Sequence, residues 1–164
     1  MYGCEPLDDR HDLSRFDSGN PDLDRWLRDH ARGAAARRTG RTFVWLDADS
    51  SVIAYYTIAA HLLERADLPR SIGHGSPDRI PAVLLARLAL DRTLHGQGRG
   101  GALLADALAR IVAATEVVAA RFVVVDAIDE HAASFYEHHG FRRIPNSDRL
   151  IQKVGDIAAA LHQA

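Results

Sequence analysis

Residues 93–108 read TLHGQGRGGALLADAL, with four glycines in six positions and an apolar helical repeat directly after them. This stretch constrains the fold more than any other. Before it lies PAVLLARLALD, an apolar run of the type buried in a sheet. After it, Leu103, Leu104, Ala107, Leu108, Ile111 and Val112 recur on one helical face. A strand, a glycine loop and a helix in that order make an anion site: backbone N–H groups point outward at the helix start, where the helix dipole favours negative charge. The expected ligand carries phosphate.

The rest of the chain supplies a mixed α/β order. Asn20 and Pro21 suit the cap and first position of a helix over GNPDLDRWLRDHARGAAARR, with Leu23, Trp26, Leu27 and Ala34 as its apolar stripe. RTFVWLD and SVIAYYTIAAH read as strands around the turn DADSS, and RFVVVDA as a second buried-type strand. DEHAASFYEHHG reads as a short helix, with Asp129 near its cap and Gly140 as its stop. FRRIP and RLIQKV read as a hairpin, and the tail GDIAAALHQA as a final helical turn or two. The 164 residues, 47 % hydrophobic and 26 % charged, are expected to form one domain, residues 1–164, with a central mixed twisted sheet flanked by helices.

Cys4 is the only cysteine, which leaves neither a disulfide framework nor a cysteine metal motif. No apolar run reaches membrane-span length and the start has no signal-type pattern, so a cytoplasmic protein without membrane attachment is expected. Net charge is −2, yet six arginines (25, 28, 32, 37, 38 and 41) face one acid, Asp29, between positions 25 and 41. That segment is either a nucleic-acid face or a solvated one whose arginines pair with Asp22, Asp24 and Asp29. His131, His138 and His139 do not have convincing ligand spacing, and no metal is expected.

Two phosphate-binding loops fit poorly. A P-loop needs Lys and Ser/Thr after its last glycine, whereas Gly101 and Ala102 follow Gly100. Gly96-x-Gly98-x-x-Gly101 has dinucleotide spacing, but RTLH separates the strand from the first glycine. Asp126 also lies beyond the usual position about 20 residues on. A ligand-free turn is the remaining plain alternative.

Gln97-x-x-Gly100-x-Ala102, together with AASFYEHHGF, resembles the GNAT N-acetyltransferase superfamily over roughly residues 40 to 145. The resemblance implies a loop at Gln97, Gly98, Arg99, Gly100, Gly101 and Ala102 for the pyrophosphate of acetyl-CoA. It implies that Leu88, Ala89 and Leu90 pair with the pantetheine arm, and that Tyr136 is the general acid for the leaving thiolate. A bulky residue at Gly100 is then expected to weaken acetyl-CoA binding. The sequence departs from the family where Asp129 replaces a common Asn. Alternatives are a small-molecule N-acetyltransferase and a non-catalytic coenzyme A module.

FDSGNPDLDRWL, followed by a basic helix and Thr42-Phe43-Val44, resembles the GNAT toxins of bacterial toxin–antitoxin pairs, with Ser18 where Cys is common. That branch implies an aminoacyl-tRNA substrate, a ribbon-helix-helix antitoxin and a homodimer. It also implies tRNA contact from Arg28, Arg32, Arg37, Arg38 and Arg41. No strong general base is evident. An α-amine titrates near pH 8, and an adjacent ester lowers that further, so such an acceptor needs little help.

Overall fold

A computed structural model describes residues 2–163. The elements follow as β1 (Gly3–Pro6), α1 (Pro21–Asp29), α2 (Ala31–Ala36), β2 (Arg41–Leu46), β3 (Val52–Glu64), α3 (Arg70–Gly73) and β4 (Arg79–Leu90). Then come α4 (Arg99–Thr115), β5 (Phe122–Asp126), α5 (Glu130–His138), β6 (Arg142–Arg143), β7 (Arg149–Lys153) and α6 (Val154–Gln163). The strands form one seven-stranded sheet in the order β1-β2-β3-β4-β5-β7-β6. It is mixed: β4 and β5 run parallel, while β1–β2, β2–β3, β5–β7 and β6–β7 are antiparallel. The chain divides into two compact units, one of residues 1–59 with 86–107 and the other of 60–85 with 108–164. None of the described helices is long and apolar enough to cross a membrane.

In the first unit, strand alternation sends neighbouring tyrosines to opposite faces of the sheet. Tyr55 packs with Leu13, Phe16, Leu27, Ala31, Val44 and Ala89, the core under α1 and α2. Tyr56 turns the other way and donates its hydroxyl proton to Asp106 of α4 at 2.9 Å. Asn20 caps α1 as its sequence suggests, its Oδ1 accepting from the amides of Asp22 (3.0 Å) and Leu23 (3.3 Å). Asn20→Ala should therefore lower stability by about 1 kcal/mol. A shifted denaturation midpoint checks this, and an unmoved midpoint would contradict it.

The helix expected over residues 19–38 is two helices. The break falls at His30 (φ −126°, ψ −24°), where no glycine or proline marks it. Burial sets the path instead, since Leu27 and Ala31 on either side are both fully buried. The chain leaves α2 through Arg38 at φ +61°. Strand β1 carries no alternating pattern of its own; it forms by edge pairing with β2, Gly3 opposite Leu46 through Pro6 opposite Phe43.

In the second unit, Phe122 to Val125 of β5 are all fully or almost fully buried, as a central strand with apolar cover on both faces requires. Phe122 and Val124 pack with Leu63, Leu68, Ile72, Ile80, Ala82, Ile144 and Ile151. Asp129 caps α5, accepting from the Ala132 amide at 2.8 Å, and Gly140 ends it at φ +95°. β6 and β7 form the expected hairpin, and α6 extends the tail into a ten-residue helix.

Candidate active site

The segment between β4 and α4 is held by its own side chains. Asp91 accepts from the Thr93 amide at 3.0 Å and the Thr93 hydroxyl at 2.8 Å, forming a short 3-10 turn over Arg92–Leu94. The Asp91 amide donates to Ile53 O, and the Arg92 amide to Asp17 O, each at 2.8 Å. His95 Nε2 lies 3.0 Å from Leu90 O, and Gln97 Nε2 donates to Thr93 O at 3.1 Å. The Gln97 side chain thus braces the loop from within.

Two left-handed glycines, Gly96 at φ +75° and Gly98 at φ +72°, then turn the chain into α4. This is the backbone region that L side chains avoid. The first amides of α4, from Arg99 onward, have no partner within the helix, and its first turn carries no acid. Residues 95–99 are exposed. The chemistry of such a helix start suits an anion, with no acidic side chain of its own first turn competing for the amides. The Arg99 guanidinium lies over the Tyr2 ring, 5.4 Å from its centroid. Upstream, the β4–β5 ladder covers Ala82–Leu84 with Phe122–Val124, while β4 itself continues through Leu88, Ala89 and Leu90.

Tyr136 sits in the second unit, on α5. It is buried, with Phe135 and Phe141 edge-on at ring distances of 5.2 and 5.6 Å. No described residue hydrogen-bonds its hydroxyl. Burial pushes the phenol well above its ordinary value, so the protonated form is the one present at neutral pH. His138 and His131 on the same helix are exposed; His139 packs edge-on against Phe135 at 4.8 Å. Among the described residues no three His, Cys, Asp or Glu side chains converge as a metal site would require.

The same unit contains a polar chain whose connections gave no sequence signal. Arg149 of β7 holds Asp126 of β5 with two hydrogen bonds, Nε–Oδ1 at 2.8 Å and Nη2–Oδ2 at 2.9 Å. Its Nη1 donates to His61 Nε2 of β3 at 3.0 Å. The carboxylate that a dinucleotide reading would give to a ribose is therefore occupied by an arginine. The Arg149 hydrogen bonds hold the Asp126 carboxyl below the usual carboxylate range against the opposing effect of burial. Such a carboxylate adds stability above its unfolded value of about 3.9, and the contribution is lost as pH falls through the lower folded value. The stability gap between wild type and Arg149→Met should be full near neutral pH and narrow below about pH 4. Urea unfolding at a series of pH values checks this, and a gap independent of pH would contradict it.

The arginines of the basic segment separate into three kinds. Arg25 pairs with Asp22 at 3.2 Å on the surface. Arg32 is tied to the 8–11 segment: Nη2 donates to His11 O at 2.6 Å and to Asp8 O at 3.2 Å, and Nε to Asp8 O at 3.2 Å. Arg28, Arg37, Arg38 and Arg41 are exposed, and no described carboxylate pairs with them. Asp24 is buried and receives the Ser18 amide at 3.1 Å and the Ser18 hydroxyl at 2.6 Å, so it does not neutralise that face.

Comparison with known proteins agrees with this geometry. Residues 38–143, which contain both the glycine loop and Tyr136, match the acetyltransferase (GNAT) domain. The chain is 36 % identical over 155 residues to a tRNA-acetylating toxin of Mycobacterium tuberculosis (strain ATCC 25618 / H37Rv), covering 94 % of this chain and 93 % of that one. Among solved structures it resembles AtaT complexed with acetyl-methionyl-tRNAfMet, with a TM-score of 0.89, 31 % identity and coverage of 98 % and 99 % of the two chains. It also resembles a mutant AtaT toxin bound to the C-terminus of the antitoxin AtaR and acetyl-CoA, with a TM-score of 0.83, 30 % identity and 98 % of each chain covered. With that domain matched over residues 38–143 and a tRNA-acetylating toxin 36 % identical over 94 % of this chain, the chain belongs to the GNAT acetyltransferase family.

Proposed function

We propose that this protein transfers the acetyl group of acetyl-CoA to the α-amine of an aminoacyl-tRNA, and so acts as the toxin of a toxin–antitoxin pair. The observation that carries the reading is the end-to-end likeness to a tRNA-acetylating toxin. The unpaired arginines at 28, 37, 38 and 41 support it, because a tRNA acceptor needs cationic surface for its phosphates. Arg32 contributes through the 8–11 segment that it holds.

The donor supplies an activated thioester. The amides of residues 97–102 receive its pyrophosphate, with Gly98, Gly100, Gly101 and Ala102 keeping side chains out of the way and Arg99 adding charge. Leu88, Ala89 and Leu90 offer backbone groups to the pantetheine arm. As the acceptor nitrogen bonds to the acetyl carbon, the carbon–sulfur bond breaks and Tyr136 gives its proton to the departing sulfur. The amine releases its proton to water, and Tyr136 is reprotonated from solvent. A ribbon-helix-helix antitoxin opposes the enzyme, which acts in the cytoplasm as a homodimer and without a metal.

Expression of the protein alone should arrest bacterial growth, and co-expression of its antitoxin should relieve the arrest. Exchange of Arg37 and Arg38 for Glu should raise KM for aminoacyl-tRNA by about tenfold or more and flatten its salt dependence. Acetyl-CoA affinity should not change. Unaltered use of charged tRNA by that double variant would return these arginines to the role of a solvated face.

A further inference from the structure

Among the described residues of the first unit, Arg87 is a half-buried cation that neither the fold nor the proposed chemistry accounts for. Arg87 lies near the end of β4, two residues before Ala89 and therefore on the same face of the strand. Ala89 belongs to the core with Leu27 and Tyr55, so this is the α1 face of the sheet. The Arg87 guanidinium is stacked on Trp26 of α1, its carbon 3.9 Å from the ring centroid. Trp26 lies nearly parallel to Tyr55, at 6.4 Å and 12°, and the Tyr55 hydroxyl donates to Leu23 O at 2.8 Å. The platform beneath the guanidinium is thus fixed from two elements.

Arg87 is half-buried, and no described carboxylate lies within ion-pair distance of it. Asp24, the acid whose charge reaches Tyr55, is already occupied by Ser18. Burial disfavours the charged form of Arg87. A desolvated cation without a counter-charge is unfavourable, and stacking on one aromatic face returns only part of the loss. Stacking also leaves the edge N–H groups without acceptors, and those groups have the spacing for two oxygens of one phosphate.

We propose that Arg87, backed by Trp26, binds a backbone phosphate of the acceptor RNA. This rests on the tRNA reading above and adds a site to it. The donor's diphosphate is the other phosphate source. Its loop opens α4, which packs on the Tyr56 face of the sheet, whereas Arg87 and Tyr55 are on the α1 face.

The test measures acetyl transfer by wild type, Arg87→Gln and Arg87→Lys to two acceptors. One is an aminoacyl-tRNA; the other is the matching 3′-aminoacyl adenosine, which has no phosphate. Acetyl-CoA affinity is measured by calorimetry on the same proteins. Arg87→Gln should lower kcat/KM for the aminoacyl-tRNA by about 10- to 100-fold, the range of a hydrogen-bonded charge. It should leave the aminoacyl adenosine and acetyl-CoA affinity unchanged. Arg87→Lys, which keeps charge and bulk, should show the same split at smaller size and keeps the test open if the Gln variant does not fold. Equal loss on both acceptors, no loss on either, or a loss confined to acetyl-CoA affinity would overturn the assignment. Failure of the wild type to use aminoacyl-tRNA at all would overturn the tRNA reading and the assignment with it.

Discussion

Replacing Tyr136 with phenylalanine should cut acetyl transfer by about 10²- to 10⁴-fold, the usual contribution of a positioned general acid. The ring would stay where it is, because its edge contacts with Phe135 and Phe141 do not involve the hydroxyl. No described residue hydrogen-bonds that hydroxyl, so removing it leaves no orphaned partner in the protein. Stability and acetyl-CoA affinity should therefore hold while turnover falls, and the whole loss should appear in kcat. Parallel measurement of kcat, acetyl-CoA affinity and melting temperature separates these quantities. Turnover within a factor of a few of wild type would take Tyr136 out of the mechanism.

Gly98→Val should weaken acetyl-CoA binding by about 10²-fold. Gly98 sits at φ +72° with open space where a Cβ would go, so the difficulty is conformational and not one of contact within the protein. A β-branched residue resists the left-handed region, by about 1–2 kcal/mol even for an ordinary side chain. Relaxing toward negative φ re-aims the amides that follow at the start of α4. Hydrogen bonds from such amides to a charged group are worth about 1.5–3 kcal/mol each, so misplacing two of them accounts for the expected loss. Gly155→Ala is the matched control, since Gly155 lies in α6 with open space at its Cβ and no positive φ. It should bind acetyl-CoA as wild type does. Calorimetric titration reads both variants, and wild-type affinity in Gly98→Val would remove the glycine loop from donor binding.

Features written in local chemistry were legible in the sequence. The Asn20 cap, the Gly140 stop and the apolar run of β5 each depend on a few neighbouring residues, and the fold uses them as read. The glycine loop was legible for the same reason, and its pairing with the Tyr136 motif identified the family. Features decided at long range were not. Strand β1 exists because the edge of β2 offers partners to Gly3–Pro6, and nothing within those four residues specifies it. Arg32 looks like its neighbours in sequence, and only the folded 8–11 segment, 21 to 24 positions away, distinguishes it. The Asp126–Arg149–His61 chain joins residues 23 and 88 positions apart on three strands. Arg87 and Trp26 are likewise an ordinary arginine and an ordinary core tryptophan until β4 and α1 bring them together. In the sequence these arginines differ only in position, whereas in the fold they differ in the partners they have.

The most direct test of the account is mass spectrometry of aminoacyl-tRNA recovered after incubation with the purified protein and acetyl-CoA. A panel of charged and uncharged tRNAs, with polyamines and aminoglycosides in parallel reactions, makes the readout comparative. One acetyl group is expected on the α-amine of the esterified amino acid, none on uncharged tRNA, and little on the small amines. Efficient acetylation of a polyamine or an aminoglycoside, with every charged tRNA left unmodified, would contradict it.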